Sequence, residues 1–342
     1  MRIGIMGAGS IGCFLGGSLL LKSNEVIMVG RAKLGGELEK WGMKLTDGDG
    51  RKDSVAPQVI EFSEKPEALA PCRTVFVTVK SPGSAEAARG LDAVLPGNAT
   101  VVSFQNGVRN ADIIRENLPG RTVLAGIFSF NVKRFPPVTF HRGTSGPLVI
   151  EKPAAEGARV KLDMVANALR AAGFTVLIRE DIVPLQWGKL ILNLNNAVNA
   201  LAGIPLREQL TQRPYRLVLA RVMSEALSVL KQAGIQPKSL DRINPSMGPR
   251  ILPLPNWLFF RVAARMIQID EKARSSMQDD LEAGRDTEID FLNGEIVRLA
   301  GEHGVEAPVN TRIVELIRQA EQARAGSPRI EGPELLRIIR EK

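Results

Sequence analysis

The rhythm of apolar and polar positions changes first at the start of the chain. Residues 2–6 alternate and then run apolar, as a short buried parallel strand does, and residues 13–21 carry the spacing of a helix. Buried-strand patterns recur at 25–29, 73–79 and 100–104, with a weak helical stretch at 32–41 and an irregular strand segment over 42–60. Alternation punctuated by glycine and proline at 121–131 and 137–151 suggests a meander closing the sheet. A helix is expected over 156–172, with Val160, Met164, Ala168 and Leu169 on its apolar side. Gly173 ends it before a last strand at 174–178, and a hinge is expected near residue 180. From Pro184 onward helical periodicity dominates. The pattern predicts one helix at 186–201, one at 214–233, a loop insertion at 237–256, and a packing helix or dimer surface at 257–269. Shorter helices follow from Ser275, from Thr287 as N-cap to about residue 301, over 311–324 and over 331–342.

Strands alternating with helices, followed by helices alone, predict an α/β fold in two domains. Residues 1–180 read as a doubly wound parallel sheet and residues 181–342 as an all-helical domain. A length of 342 residues suits two cores. The net charge of +8 reads as a solubilising surface rather than a nucleic-acid footprint, because aromatics are only 5% and no basic block interleaves with them. Cys13 and Cys72 stand apart, as do His141 and His303, so no metal site or disulfide framework is expected. Met1-Arg2 leads straight into the first strand, and no stretch of about eighteen uncharged apolar residues occurs, so a cytoplasmic protein is expected, off the membrane.

The first strand and helix enclose Gly7-Ala8-Gly9-Ser10-Ile11-Gly12, a G-x-G-x-x-G motif. Gly7 would make the tight turn, Gly9 would let backbone approach a pyrophosphate, and Gly12 would let helix and strand pack closely. This is the Rossmann signature of a dinucleotide site, the pyrophosphate lying on the helix N-terminus. After the second strand, where NAD-binding units carry an acidic residue, stands Arg31, with Lys33 close by. A guanidinium suits a ribose 2′-phosphate, so the expected cofactor is NADP(H). Lys80 and Asn106 follow the next two strands, at the edge of the sheet where ligands bind. The stretch 186–201 is apolar yet holds Lys189, Asn193, Asn195, Asn196 and Asn199. Lys189 and Asn193 are i,i+4, and Asn196 would continue their face. One ammonium and two amides on one stripe suit an anionic or carbonyl-bearing small molecule. Glu288 reads either as first-turn complement to a helix dipole or as an inward-facing carboxylate.

Together these stretches resemble the ketopantoate reductase (2-dehydropantoate 2-reductase) family over essentially the whole length. The matching stretches are GAGSIG at 7–12, Arg31, VTVKS at 77–81, FQNG at 104–107, WGKLILN at 187–193, SSM at 275–277 and TEIDFLNG at 287–294. The resemblance implies a Rossmann domain and a helical domain like that of 6-phosphogluconate dehydrogenase. It implies NADPH-dependent reduction of a 2-oxo acid, 2-dehydropantoate to pantoate in pantothenate biosynthesis, with the substrate in a cleft between the domains. It makes Lys189 the general acid, Asn193 and Asn196 substrate-positioning amides, and Ser276 the hydroxyl that bonds the substrate carboxylate. Glu288 then contacts cofactor and substrate, and Lys80 and Asn106 stand at the mouth of the site. A homodimer is the assembly left open. Ala273 and Leu206 stand where that family often carries asparagine.

Overall fold

Short strands rich in valine and isoleucine frame the first half of the structure, a computed structural model that describes residues 1–240, 244–263, 271 and 273–340. They are β1 (Arg2–Met6), β2 (Glu25–Val29), β3 (Met43–Asp47), β4 (Lys52–Val55), β5 (Glu61–Ser63), β6 (Thr74–Val77), β7 (Thr100–Ser103), β8 (Thr122–Phe128), β9 (Val132–Phe135), β10 (Thr139–Arg142), β11 (Leu148–Glu151) and β12 (Val176–Arg179). Eight form one sheet in the order β12-β11-β8-β7-β6-β1-β2-β5. From β5 to β8 every neighbouring pair is parallel, and only β11 runs antiparallel to β8. The connection order reverses between β1 and β6, so the crevice for a ligand lies beyond the carboxyl ends of those strands. This is the Rossmann arrangement. Its helices are α1 (Ser10–Leu20), α2 (Ala32–Trp41), α3 (Ser84–Asp92), α4 (Asn110–Asn117) and α5 (Glu156–Ala171).

The expected meander is divided between two sheets. β8 and β11 extend the main sheet, whereas β9 and β10 join β3 and β4 in a separate four-stranded sheet. The reason lies in α1, whose residues Gly12–Leu19 are all buried. A helix apolar all round needs cover on its outer side. The small sheet supplies it: a Cβ on Gly17 would lie 2.5 Å from Met43 Sδ. Nearby, the Phe14 ring meets Phe130 and Phe174 edge-on at 6.0 and 6.1 Å. In α5 the buried stripe is Ala158, Leu162, Val165, Ala166 and Leu169, while Val160 and Met164 face solvent, 60% and 57% exposed. The sequence carries two apolar stripes on this helix, and the sheet takes the one with the tighter spacing.

The chain divides into two compact units, Met1–Ile182 and Val183–Lys342. The second holds α6 (Val183–Asn193), α7 (Asn195–Ala202), α8 (Leu206–Thr211), α9 (Arg213–Gln232), α10 (Gly248–Ile251), α11 (Asn256–Val262), α12 (Ser276–Glu282), α13 (Asn293–Glu302), α14 (Pro308–Ala323) and α15 (Gly332–Ile338). The single helix expected over 186–201 is thus two, separated at Leu194. Pro308 opens α14, so this helix starts three residues before the expected 311, because a ring without N–H costs nothing at the first helical position. Of the helix expected over 257–269, residues 264–269 lie outside the described residues. α9 is anchored by the fully buried Arg216, whose guanidinium donates to the carbonyls of Leu210, Thr211, Leu252 and Leu254 and to Asn256 Oδ1 at 2.8–3.1 Å. The same cation lies 4.1 Å from the centre of the Phe259 ring. The loop at 244–256 is thereby fastened to α9 rather than hanging from it.

Candidate active site

The glycine loop after β1 is built from backbone. Gly7 has φ +109°, and a Cβ there would stand 2.5 Å from Val79 N and 2.7 Å from the Thr78 carbonyl carbon. Its N–H and that of Ala8 donate to the Val29 carbonyl at 3.0 and 2.7 Å, closing the turn on β2. At Gly12 a Cβ would meet the Gly7 carbonyl oxygen at 2.5 Å. The Thr78 hydroxyl donates to that same oxygen at 2.7 Å and locks the loop from β6. Gly9 differs: a Cβ there would have no atom within 4 Å. It caps α1 without a side-chain bond, and the first turn has no acidic residue. The N–H groups of Ser10, Ile11 and Gly12 precede the first intrahelical acceptor and carry the positive end of the helix dipole. Open space at Gly9 beside uncapped N–H groups fits a pyrophosphate.

Arg31 occupies the N-cap of α2 just past β2 and is exposed, as is Lys33. The Gly30 N–H donates to Ser63 O at 3.0 Å, which fixes the turn that presents the arginine. Lys80 follows β6, exposed, at the N-cap of a 3-10 turn over Ser81–Gly83. Asn106 follows β7 and is half-buried. A buried polar network ties these two strand ends together. Ser103 Oγ donates to Gln105 Oε1 at 2.9 Å, and Gln105 Nε2 donates to Val79 O at 3.0 Å and to Ser84 Oγ at 2.7 Å. The Asn106 carbonyl accepts from Ser81 Oγ at 3.1 Å and also from the Asn110 amide. Gln105, Asn110 and Ser84 were not singled out by sequence reasoning; only the polar run after each strand hinted at them.

In the second unit Lys189 is half-buried on α6, with Asn193 one turn on. Burial pushes the Lys189 ammonium down to about 8, and the charge of Glu288 opposes that shift. Its neighbour Gly188 explains part of the burial. A Cβ at Gly188 would lie 1.8 Å from the Lys238 carbonyl oxygen, and Lys238 N donates to Pro184 O at 2.8 Å. The backbone at 238 therefore lies directly on α6 beside the lysine, an approach that only glycine permits. Glu288 is half-buried and precedes a 3-10 turn over Ile289–Phe291, with α13 beginning only at Asn293. Thr287 Oγ1 accepts from Ile289 N at 3.1 Å, so it caps that turn and not an α-helix.

The four asparagines separate into two pairs. Asn195 Oδ1 accepts from Gln209 Nε2 at 2.7 Å. Asn199, fully buried, donates to Ile204 O at 2.9 Å and Gln209 Oε1 at 3.0 Å, and accepts from Ser275 N at 2.9 Å. Those two amides hold α7, α8 and α12 together. Asn193 and Asn196 are half-buried, and among the described residues their side chains have no hydrogen-bond partner. On α12 the capping is done by Ser275, which accepts from Gln278 N at 3.1 Å and donates to Asn196 O at 3.1 Å. That leaves the exposed Ser276 hydroxyl outside the capping bonds. Gln278 is fully buried, and neither amide atom finds a partner among the described residues.

Both cysteines are free and buried, with burial raising the thiols to about 12 at Cys13 and about 11 at Cys72, so neither is a nucleophile at neutral pH. No group of acidic, histidine or cysteine residues that could hold a metal occurs among the described residues. A groove of about 410 Å³ between α9 and α14 contains Arg221 and Glu225 but none of the residues above. Glu225 there accepts from the N–H groups of Val309 and Asn310 at 2.8 and 2.7 Å and serves as the cap of α14.

The sequence profile of ketopantoate reductase PanE/ApbA matches residues 3–155, and that of its C-terminal domain matches residues 181–321. A 2-dehydropantoate 2-reductase of Halobacterium salinarum is 29% identical over 325 residues, covering 94% of this chain and 99% of the relative. The crystal structure of a PanE/ApbA family ketopantoate reductase from Ralstonia eutropha JMP134 is similar, with 29% identity and a TM-score of 0.80 over 95% of this chain and 99% of that one. D-mandelate dehydrogenase, solved with NADH and anilino(oxo)acetate, shares the fold at 19% identity and a TM-score of 0.77, covering 95% of this chain and 99% of its own.

Proposed function

This chain belongs to the ketopantoate reductase PanE/ApbA family, and we propose that it reduces a 2-oxo acid, with 2-dehydropantoate the substrate to test first, to the 2-hydroxy acid using NADPH. The observation that carries the reading is Lys189, a half-buried ammonium with its pKa lowered to about 8, beside the charge of Glu288 and one turn from an amide with no hydrogen-bond partner among the described residues. When bound, NADPH would supply the hydride for the keto carbon, being oxidised to NADP+. As the carbonyl electron pair moves to oxygen, the Lys189 ammonium stabilises the growing charge and gives that oxygen its proton. Water then returns a proton to the amine, so one hydride and one proton are consumed per hydroxyl formed. The charge of Glu288 favours the protonated form of Lys189 and opposes the effect of burial. Asn193, Asn196 and Ser276 hold the carboxylate and the carbonyl so that the reacting carbon is fixed.

For the cofactor, Gly7 to Gly12 supply the pyrophosphate cradle and Arg31 a bidentate partner for a 2′-phosphate. Lys80 and Asn106 stand at the sheet edge toward the ribose and nicotinamide. A cytoplasmic enzyme follows from the same reading, and among the described residues no helix is long and apolar enough to cross a membrane. The test is a screen of NADPH oxidation against 2-oxo acids including 2-dehydropantoate, with NADH in parallel. Turnover with NADPH is expected, and Arg31→Asp is expected to lower the NADPH over NADH preference at least about tenfold. Cofactor binding without turnover on any 2-oxo acid would leave a non-catalytic NADP-binding sensor as the better reading.

A further inference from the structure

The small sheet of the first unit has a face that the proposed chemistry does not use. α1 lies against the side carrying Met43, Leu45 and Phe140, all buried. Strand side chains alternate between faces. The other side therefore carries Lys52 from β4, Lys44 and Thr46 from β3, His141 from β10, and Lys133 and Phe135 from β9. Contacts across the strands agree with this register. Thr46 Oγ1 and His141 Nδ1 share a hydrogen bond of 2.8 Å, the Phe135 ring meets His141 edge-on at 6.3 Å, and Lys133 Nζ lies 5.9 Å from the centre of the Phe135 ring. The three lysines are exposed, and Phe135 is 44% exposed. Ser54 and Thr139 complete the face, and no acidic residue of the four strands belongs to it. Asp47 and Asp53 fall on the other side and pair with Arg142 and Arg51 at 2.7 and 2.6 Å. Asp49, in the turn between β3 and β4, pairs with Arg142 at 3.2 Å.

Along the chain these cations stand far apart, so no basic block shows in the sequence; the strand register assembles one. Lysines on the edge strands β4 and β9 would by themselves be guards against edge-to-edge pairing. Lys44, however, is on an inner strand, and an exposed phenylalanine on an edge strand invites the pairing that such guards prevent. We propose that this face binds single-stranded nucleic acid. An unpaired base stacks on Phe135 beside His141, and the neighbouring phosphates lie along Lys133, Lys44 and Lys52. A four-stranded sheet has room for about two or three stacked nucleotides. Charge alone would accept any polyanion, whereas the ring selects a strand whose bases are free to stack and so discriminates against a duplex. The proposal is independent of the reductase reading.

The test is fluorescence anisotropy of labelled oligo(U) and oligo(dT), each of about 12 nucleotides, titrated with the full chain. Binding with a Kd on the order of 10⁻⁵ M is expected at roughly 50 mM salt. The logarithm of the affinity should fall against the logarithm of salt concentration with a slope of about −2, as for three phosphates neutralised on a single strand. Phe135→Ala should weaken binding about tenfold with the slope unchanged, and Phe135→Trp should restore it. Lys44→Gln should reduce the slope to about −1.4. Thermal melting followed by circular dichroism checks that each variant is folded. Binding of both oligonucleotides, or of either one, supports the proposal and says whether the ribose hydroxyl is read. Binding of neither at about 100 µM protein overturns it. Equal binding of a duplex, or of polyglutamate of matched charge, overturns it in favour of a general polyanion surface. Affinity unmoved by both Phe135→Ala and Lys44→Gln in folded protein overturns it as well, because the strand then binds elsewhere.

Discussion

The two units present their chemistry in different materials. In Met1–Ile182 the proposed cofactor cradle is backbone: Gly7 and Gly12 are tight against Val79, Thr78 and each other, and Gly9 opens on space. In Val183–Lys342 the proposed catalytic groups are side chains on helices, with the Asn193 and Asn196 amides lacking a hydrogen-bond partner among the described residues while Asn195 and Asn199 are consumed as structure. A backbone site depends on what is missing from the residues that build it. A side-chain site depends on which of several similar groups the packing has left unspent.

The largest expected effect lies in the second unit. Lys189→Ala should lower kcat/KM for reduction by about a thousandfold while NADPH binding, followed by cofactor fluorescence, stays within about twofold. Unchanged turnover would remove the lysine from the chemistry and end the comparison as drawn. Next come two glycine substitutions that look alike in the sequence. Gly7→Ala should cost about 3 kcal/mol of folding stability, through overpacking and a positive φ. Gly9→Ala should leave stability within about 0.5 kcal/mol and weaken NADPH at least about tenfold. Equal effects in both assays would mean that the cradle is merely a tight turn.

A smaller effect concerns pH. Reduction needs the protonated lysine, so kcat/KM should be level below pH 8 and fall as pH rises through it. Glu288 raises the Lys189 pKa, so Glu288→Gln should move the falling limb to lower pH. Gly188→Ala, which lifts the backbone at 238 off α6 and admits water, should move it the other way. Shifts in the same direction for both variants would show that the limb does not belong to Lys189. The smallest effect is on stability alone. Gln278→Met removes a buried amide that has no partner among the described residues, and should raise the urea midpoint by about 1 kcal/mol equivalent at constant slope. A loss of stability would mean that the amide holds an internal water.

The first unit was the more legible for a physical reason. A glycine demanded by φ or by close approach can hardly be replaced, so the motif between strand and helix announces the turn, and Arg31 follows it at a readable distance. Periodicity failed where two solutions share one pattern. Val160 and Met164 look as core-like as Leu162 and Val165, and only the sheet chooses. The single helix read over 186–201 had no glycine or proline to mark the break at Leu194. The division of the strands after β8 into two sheets was likewise hidden, because alternation says that a segment is a strand without saying which strand it joins.

By itself the sequence determined what is local: strand, glycine turn and helix at the N-terminus, the switch to helices near residue 180, and a lysine one helical turn from an amide. Tertiary structure alone decided what each polar group is for. Asn199 and Asn196 are the same residue type three positions apart, yet one bonds Ile204, Gln209 and Ser275 while the other's amide has no partner among the described residues. Ser275 caps α12 and its neighbour Ser276 is left to solvent. Hydrogen bonds between segments distant in sequence are set by packing, and no local propensity encodes which donor will meet which acceptor.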